Sequence, residues 1–276
     1  MEVDRQVAEH YQHGNLLKSI AAGLDQLGKS PADVTIEDLA PVDEFHIGGR
    51  IASKHFLDQL ELAPDMQVLD VGCGLGGAAR YAAENYQVDV TGVDLTAEYI
   101  ETGQILCDWV DLSKRVVLQI ENALSMSFEN ACFDRAYMMH VGMNIEDKHG
   151  LFAEIYRVLA PGAIFGIYDI MQGRSGDLSY PVPWATSSTT SWLADSEKYK
   201  QSLQHAGFTI VSEQDRRDFA LQFLDDLQRA KLSSSGLPPL GLHNLMQDTA
   251  SEKITHMVEN IAARLIAPHE IIVRKV

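Results

Sequence analysis

The stretch "VLDVGCGLGGAARY", residues 68–81, passes from an apolar run through an acid into four glycines and then becomes Ala-rich without a break. Such a run bounded by Gly reads as a strand over 66–72, and the Ala-rich tail has helical periodicity. The order is therefore strand, tight turn, helix. Gly72, Gly74 and Gly77 fit G-x-G-x-x-G, in which glycines let a ligand come close to the backbone at a helix N-terminus. That spacing alone serves dinucleotides as well as other adenosine-bearing ligands.

Outward from this turn, strands and helices alternate. "VDVTGVDL" (88–95), "VVLQIENA" (116–123), "CFDRAYMMHVG" (132–142) and "IFGIYDIM" (164–171) read as strands. Helical patterns fill 96–112, opened by Thr96, and 147–163, stopped by Pro161 and Gly162. This rhythm predicts an α/β fold with parallel pairing, right-handed crossovers and helices on both faces of the sheet. A further helix near 195–208 and strands at 209–216 and 269–276 bring the strand count to seven. Residues 1–64 read as an N-terminal helical cap segment, and 65–276 as the ligand-binding domain. Residues 219–268, too long for a hairpin turn, form a helical insertion near the mouth of the site.

Composition narrows the function classes. The 276 residues carry 39 Asp plus Glu against 22 Lys plus Arg, a net charge of -17, which repels phosphate backbones and anionic lipid. Nucleic acid and membranes are thus poor partners, and a small-molecule ligand is the expected one. No basic start followed by an apolar stretch opens the chain, and no apolar run approaches the ~20 residues that span a bilayer. Cys73, Cys107 and Cys132 lack paired spacing, so buried thiols in a reducing cytoplasm are expected, with no metal site. A homodimer is left open.

Asp70 sharpens the glycine turn. A carboxylate facing the place of a pyrophosphate is electrostatically awkward, whereas it suits a ligand carrying a cation and an amino group. This points to S-adenosylmethionine. Asp94, 22 residues after Gly72 at the end of the second strand, is placed to accept two ribose hydroxyls and serves either cofactor.

The runs "VLDVGCGLGG", "VTGVDLT", "IENALSMSF" and "FDRAYMMHVGMNIEDK", with "LFAEIYRVLAPGAIFGIYDIM", resemble the class I S-adenosylmethionine-dependent methyltransferases over roughly 43–216 plus the last strand. "EFHIGGR" (44–50) and "YPVPWA" (180–185) look like the small-molecule branch that includes sarcosine and dimethylglycine methyltransferases. The resemblance implies a Rossmann-like seven-stranded sheet. It places Asp70, Gly72, Gly74 and Gly76 around the methionine portion, Asp94 and Leu95 at ribose and adenine, and Asn122 with Ala123 at the adenine edge. The family often has Asp where this chain has Asn122, so an amide oxygen must accept from the adenine amino group here.

Methyl transfer is an in-line displacement that needs orientation above all, and for an amine or hydroxyl also loss of a proton. His140, closing the fourth strand beside the methyl-donor site, can exchange a proton at neutral pH or shape the pocket by hydrogen bonding. His46 lies where the cap would fold over the cofactor. Asn144 could hold a polar group of the substrate, and Asp147 reads as a helix cap. Met138, Met139 and Met143 read as pocket wall or core. Arg50 is a cation that could meet a carboxylate or phosphate, or form a surface ion pair. Analogy with related methyltransferases makes Tyr11 a lid over the sulfonium; a core role is the alternative. Trp184, Tyr180 and Tyr168 could form an aromatic wall for a quaternary ammonium or an apolar substrate. Asp169 could bind an amine, act as base, or cap a turn. N-methylation of an amine such as a glycine derivative is the leading expectation, ahead of O- or C-methylation. An NAD-type oxidoreductase and a non-catalytic cofactor sensor are the readings from other classes.

Overall fold

The centre of the sheet forms because short apolar runs at 67–71, 133–139 and 163–171 bury both faces and so leave their backbones to pair with one another. In the computed structural model, which describes residues 11, 14–233 and 238–276, seven strands make one sheet. In chain order they are β1 (Gln67–Val71), β2 (Asp89–Asp94), β3 (Val116–Ile120), β4 (Phe133–Met139), β5 (Leu159–Gln172), β6 (Phe208–Asp215) and β7 (Ile266–Lys275). Their spatial order is β3-β2-β1-β4-β5-β7-β6. The first five run parallel, as the alternation predicts, and β7 inserts antiparallel between β5 and β6. The strand order reverses between β1 and β4, the crevice where open α/β sheets take their ligands.

Ten helices are described: α1 (Leu16–Gln26), α2 (Ile36–Asp43), α3 (Gly49–Leu57), α4 (Gly77–Tyr86), α5 (Ala97–Trp109), α6 (Lys148–Val158), α7 (Ser196–Ala206), α8 (Arg217–Ser233), α9 (His243–Met246) and α10 (Ala250–Ala262). Alternation along the strands divides them between the faces. Val68, Tyr137 and Tyr168 face α3, α4 and α5, where Phe56, Leu57, Ala82 and Ile100 are buried. Leu69, Val71, Met138 and Ile167 face α6 and α7, against Phe152, Ile155, Tyr199 and Leu203. A third cluster packs α1 and α2 on α5 through Leu16, Ile20, Leu39 and Tyr99, joined by Leu240 and Leu245. A fourth gathers Ile47, Met143, Trp184, Leu224 and Met257.

The start of the expected cap, 1–10 with 12 and 13, and residues 234–237 of the insertion lie outside the described residues. Among the described residues, 14–64 contain α1, α2 and α3, and 219–268 contain most of α8, with α9 and α10, and end in β7 from Ile266. Thr35 opens α2 with a capping box: Asp38 N–H donates to Thr35 Oγ1 at 3.3 Å, and Thr35 N–H donates to Asp38 Oδ2 at 2.9 Å. Arg80 of α4, fully buried, places Nη2 2.5 Å from Asp43 Oδ2 of α2 and donates from Nη1 to the Gly103 carbonyl of α5 at 3.2 Å. That pair fastens the cap to the glycine-motif helix; removing one partner of such a pair costs roughly 3–5 kcal/mol.

Two local expectations are corrected. The helix expected to reach Gly162 ends at Val158, and Pro161 and Gly162 lie within β5. Here Cys132 N–H donates to the Val158 carbonyl and Phe133 pairs with Leu159, with a register shift before Arg135. Pairing with β4 thus draws the chain into the sheet before proline can stop the helix. Cys73 and Cys107 are buried as expected, but Cys132 is exposed, because it precedes β4 at the rim opposite the ligand crevice.

Candidate active site

The glycine turn is tied to its neighbour strand by its own backbone. Gly72 and Cys73 N–H both donate to the Val93 carbonyl, at 2.8 and 3.0 Å. Gly72 has φ 73°, and a Cβ there would overlap the side chain of Val141. At Gly77 a Cβ would overlap the Asp43 main chain, so this glycine serves the docking of α2 on α4.

Beyond β1, β2 and β4 opens a cavity of about 300 Å³ lined by Asp70, Gly72, Gly74, Asp94, Leu95, Asn122, Ala123 and His140. Asp94 accepts from two main-chain donors, Gly74 N–H at 3.0 Å to Oδ2 and Thr96 N–H at 2.8 Å to Oδ1, which fix its carboxylate at the cavity wall. Burial pushes its carboxyl above the usual range against those donors. Asp70, 3 % exposed, accepts from the Tyr137 hydroxyl at 3.1 Å. Burial, with help from the charge of Asp94 and against the Tyr137 bond, pushes its carboxyl up to about 8. Among the described residues lining this cavity there is no Lys or Arg, while Asp43, Glu121, Glu146 and Asp147 add to the two carboxylates. The site demands a cationic ligand and opposes a pyrophosphate. A sulfonium with an amino group and a ribose diol fits these donors and acceptors.

His140 ends β4 in the left-handed region, φ 58°, uncommon for any residue but glycine. Its N–H donates to the Tyr168 carbonyl at 2.7 Å, and its Nε2 has no partner among the described residues. The ring stands 6.0 Å from that of His46 and 5.0 Å from that of Tyr168. His46 is held by Ser53, whose Oγ lies 3.1 Å from Nε2 and 2.5 Å from Glu44 Oε2. Burial lowers both histidines, His46 to about 4 and His140 well below its ordinary value, so both rings are neutral at physiological pH. Burial lifts Glu44 to about 7 despite Arg50 beside it.

His46 and His140, with Tyr11 and Phe45, also line a second cavity of about 80 Å³. Its other walls come from the segment after β4, the 180–185 loop and the insertion: Met143, Trp184, Phe223, Leu224, Met246 and Met257. Among the described residues, no three or more His, Cys, Asp or Glu side chains gather as a metal site. None of the described helices is long and apolar enough to cross a membrane.

Residues 69–167 match the family model of a methyltransferase domain. This region therefore carries a methyltransferase domain, and its relatives support the resemblance to the class I S-adenosylmethionine-dependent methyltransferases. Phosphoethanolamine N-methyltransferase 3 of Arabidopsis thaliana is 34% identical over 185 residues, 66% of this chain, and this chain spans 36% of that relative's length. The O-methyltransferase resE of Aspergillus sclerotiorum is 27% identical over 237 residues, covering 83% of this chain and 85% of that one. Among solved structures, a geranyl diphosphate methyltransferase in complex with GPP and sinefungin superposes with a TM-score of 0.74 at 17% identity, covering 100% of each chain.

With the methyltransferase fold in place, each expected site residue can be located. Asp70, Gly72, Gly74, Asp94, Leu95, Asn122 and Ala123 share the larger cavity. Gly76 lines neither cavity; it is the left-handed N-cap of α4, φ 77°. Asn122 Oδ1 accepts from Leu124 N–H at 2.9 Å. Tyr11 reaches Asn144 Oδ1 with its hydroxyl at 3.5 Å, while its ring stands 5.9 Å from that of Tyr99 and 6.3 Å from that of Phe45. Asp147 caps α6, accepting from Gly150 N–H at 2.8 Å. Met139 lines the larger cavity, Met143 the smaller, and Met138 is core.

Of the expected substrate residues, Arg50, Tyr168, Asp169 and Tyr180 line neither cavity. Arg50 pairs through Nε with Glu44 Oε1 at 2.7 Å and lies over the Tyr81 ring. Tyr168 donates to the Ile47 carbonyl at 2.9 Å, tying the His46 segment to the sheet. Asp169, fully buried, accepts from Gly142 N–H at 2.8 Å and the Tyr199 hydroxyl at 2.6 Å, and so holds the turn after β4. Tyr180 packs on the fourth cluster. Trp184 does reach the second cavity, its Nε1 bonded to Ser191 Oγ at 2.9 Å. Sequence reasoning missed Phe45, Tyr99 and the insertion's Phe223, Leu224, Met246 and Met257. The apolar stripe along 219–257 was the signal available for the last four.

Proposed function

We propose that the protein methylates a small molecule with S-adenosylmethionine, N-methylation of an amine being the leading reading. The observation that carries it is the pair of joined cavities, one acidic and cation-seeking, the other meeting it at two neutral histidines. When bound, the cofactor supplies a methyl group on a positively charged sulfur. Asp70 would hold its amino group and Asp94 its ribose diol, while Asn122 and Ala123 border the adenine. Transfer of that methyl to the acceptor's lone pair would leave the carbon–sulfur electron pair on sulfur. His140 or His46 would take the proton that the acceptor gives up, and Asn144 with Tyr11 would orient it.

O-methylation is the second reading. It is supported by the similarity to an O-methyltransferase that covers 83% of this chain and 85% of that one. The test is S-adenosylhomocysteine release with S-adenosylmethionine and matched amine, phenol and thiol acceptors; an amine-only response selects the first reading, and a phenol-only response the second. The division into a cap, 1–64, and a cofactor domain, 65–276, belongs to the same proposal, as does a cytoplasmic location. So does a homodimer, for which the exposed Val117 and Ile120 on the edge strand β3 offer a surface and light scattering the check.

A further inference from the structure

The second cavity says more about the acceptor than the sequence does. Among its described lining residues none is Lys, Arg, Asp or Glu, and its only titratable groups are Tyr11, His46 and His140. Three cations of neighbouring elements are engaged elsewhere, and the buried Lys253 of α10 lines neither cavity. Lys148 donates to the Ile145 and Trp192 carbonyls, Arg216 faces Glu270, and Arg217 donates to the Ile261 and Ile266 carbonyls. A phosphate or carboxylate entering here would lose its hydration and find no counter-charge, a penalty of several kcal/mol. The walls are instead soft and apolar. Trp184 presents its ring, since its N–H is bonded to Ser191, and Met143, Met246 and Met257 supply adaptable thioethers. Because Tyr11, Phe45, His46 and His140 line both cavities, whatever fills the second one stands against the cofactor cavity.

We infer that the acceptor is an uncharged molecule whose non-reacting body is an apolar group seated in this chamber, with its nucleophilic atom at the His46–His140 junction. The inference rests on the methyltransferase reading and narrows its substrate class, setting aside phosphorylated and zwitterionic amines. At about 80 Å³ the chamber is smaller than the roughly 150 Å³ apolar cavity that admits benzene, so a short alkyl substituent fills it, and a ring that carries the nucleophilic atom stands at the junction beside the larger cavity.

The test is calorimetry on the S-adenosylhomocysteine-loaded protein with aniline and its para-methyl, para-ethyl and para-propyl derivatives, all neutral at neutral pH. Affinity should rise about fourfold with each added carbon, the equivalent of ~0.8 kcal/mol per buried methylene. Phosphoethanolamine and sarcosine should neither bind nor compete. A charge placed in the wall by Phe223→Lys should lower propylaniline affinity at least about tenfold at unchanged S-adenosylhomocysteine affinity, whereas Met257→Leu should stay within about threefold of the parent. A flat aniline series, competition by phosphoethanolamine or sarcosine, or a Phe223→Lys variant that binds propylaniline normally would overturn the inference. Failure of the parent protein to bind S-adenosylhomocysteine would instead count against the methyltransferase reading. The aniline series on the unloaded protein would then judge the chamber alone.

Discussion

The two cavities that meet at His46 and His140 are built in opposite ways. The larger is made mainly of strand ends and the turns that follow them, Asp70 to Gly74, Asp94 and Leu95, Asn122 and Ala123, and His140, and is closed by Tyr11, Phe45, Tyr99 and Leu245. Each strand-end group is a few consecutive residues whose position follows from one strand. The smaller draws single residues from distant segments, among them Ile47, Met143, Trp184, Phe223 and Met257, and has no motif. Their chemistry is opposed as well, several carboxylates in one and no charged lining residue among those described in the other. A fold that must hold one cofactor and admit varied acceptors can keep the first arrangement constant and change the second through loops and insertions.

The largest expected effect tests the acidic cavity. Asp94→Ala removes an acceptor for two hydroxyls, and with charged hydrogen bonds contributing roughly 1.5–3 kcal/mol each, S-adenosylhomocysteine affinity should fall about a thousandfold. Calorimetry giving unchanged affinity would remove Asp94 from the ribose.

Next in size is the junction. His140→Asn tolerates the left-handed backbone yet supplies no base, so turnover should drop about a hundredfold while cofactor affinity stays within about twofold. If both fall together, His140 shapes the cofactor cavity and takes no part in proton transfer.

The pH dependence of binding follows from Asp70, whose carboxyl is pushed up to about 8. In the free protein it is protonated below that value, whereas a bound ammonium group favours the carboxylate, so binding expels a proton. Affinity should therefore rise with pH, by up to about tenfold per unit between about pH 5 and 7, and Asp70→Asn should flatten the profile. A wild-type profile that is already flat places the amino group elsewhere.

The smallest effect is expected at Arg50. Paired with Glu44 outside both cavities, its loss in Arg50→Ala should leave the acceptor KM within about twofold, while the melting temperature falls because Glu44 keeps a buried carboxyl without its partner. A large rise in KM would bring Arg50 back to the acceptor and break the contrast between the two cavities.

The chain's local pattern was enough for the strand–turn–helix at Asp70, the seven strands and the acid at the end of β2, because each depends on periodicity or on a glycine conformation encoded nearby. Even the Asp147 cap was legible for that reason. The helix end at Val158 was not, since pairing with β4 overrides the stop expected at Pro161. Arg50, Tyr168 and Asp169 carried the right chemistry for substrate binding, but their partners Glu44, Ile47, Gly142 and Tyr199 were decided by packing across the fold. The neutrality of His46 and His140 likewise comes from burial, which no residue type announces. So the cofactor half of the site was written in contiguous sequence, where backbone geometry and residue identity lie together. The second cavity exists only once α8, α9 and α10 fold back over the β4 and β5 ends, because an apolar chamber is a property of surfaces brought together and of the charges left outside it.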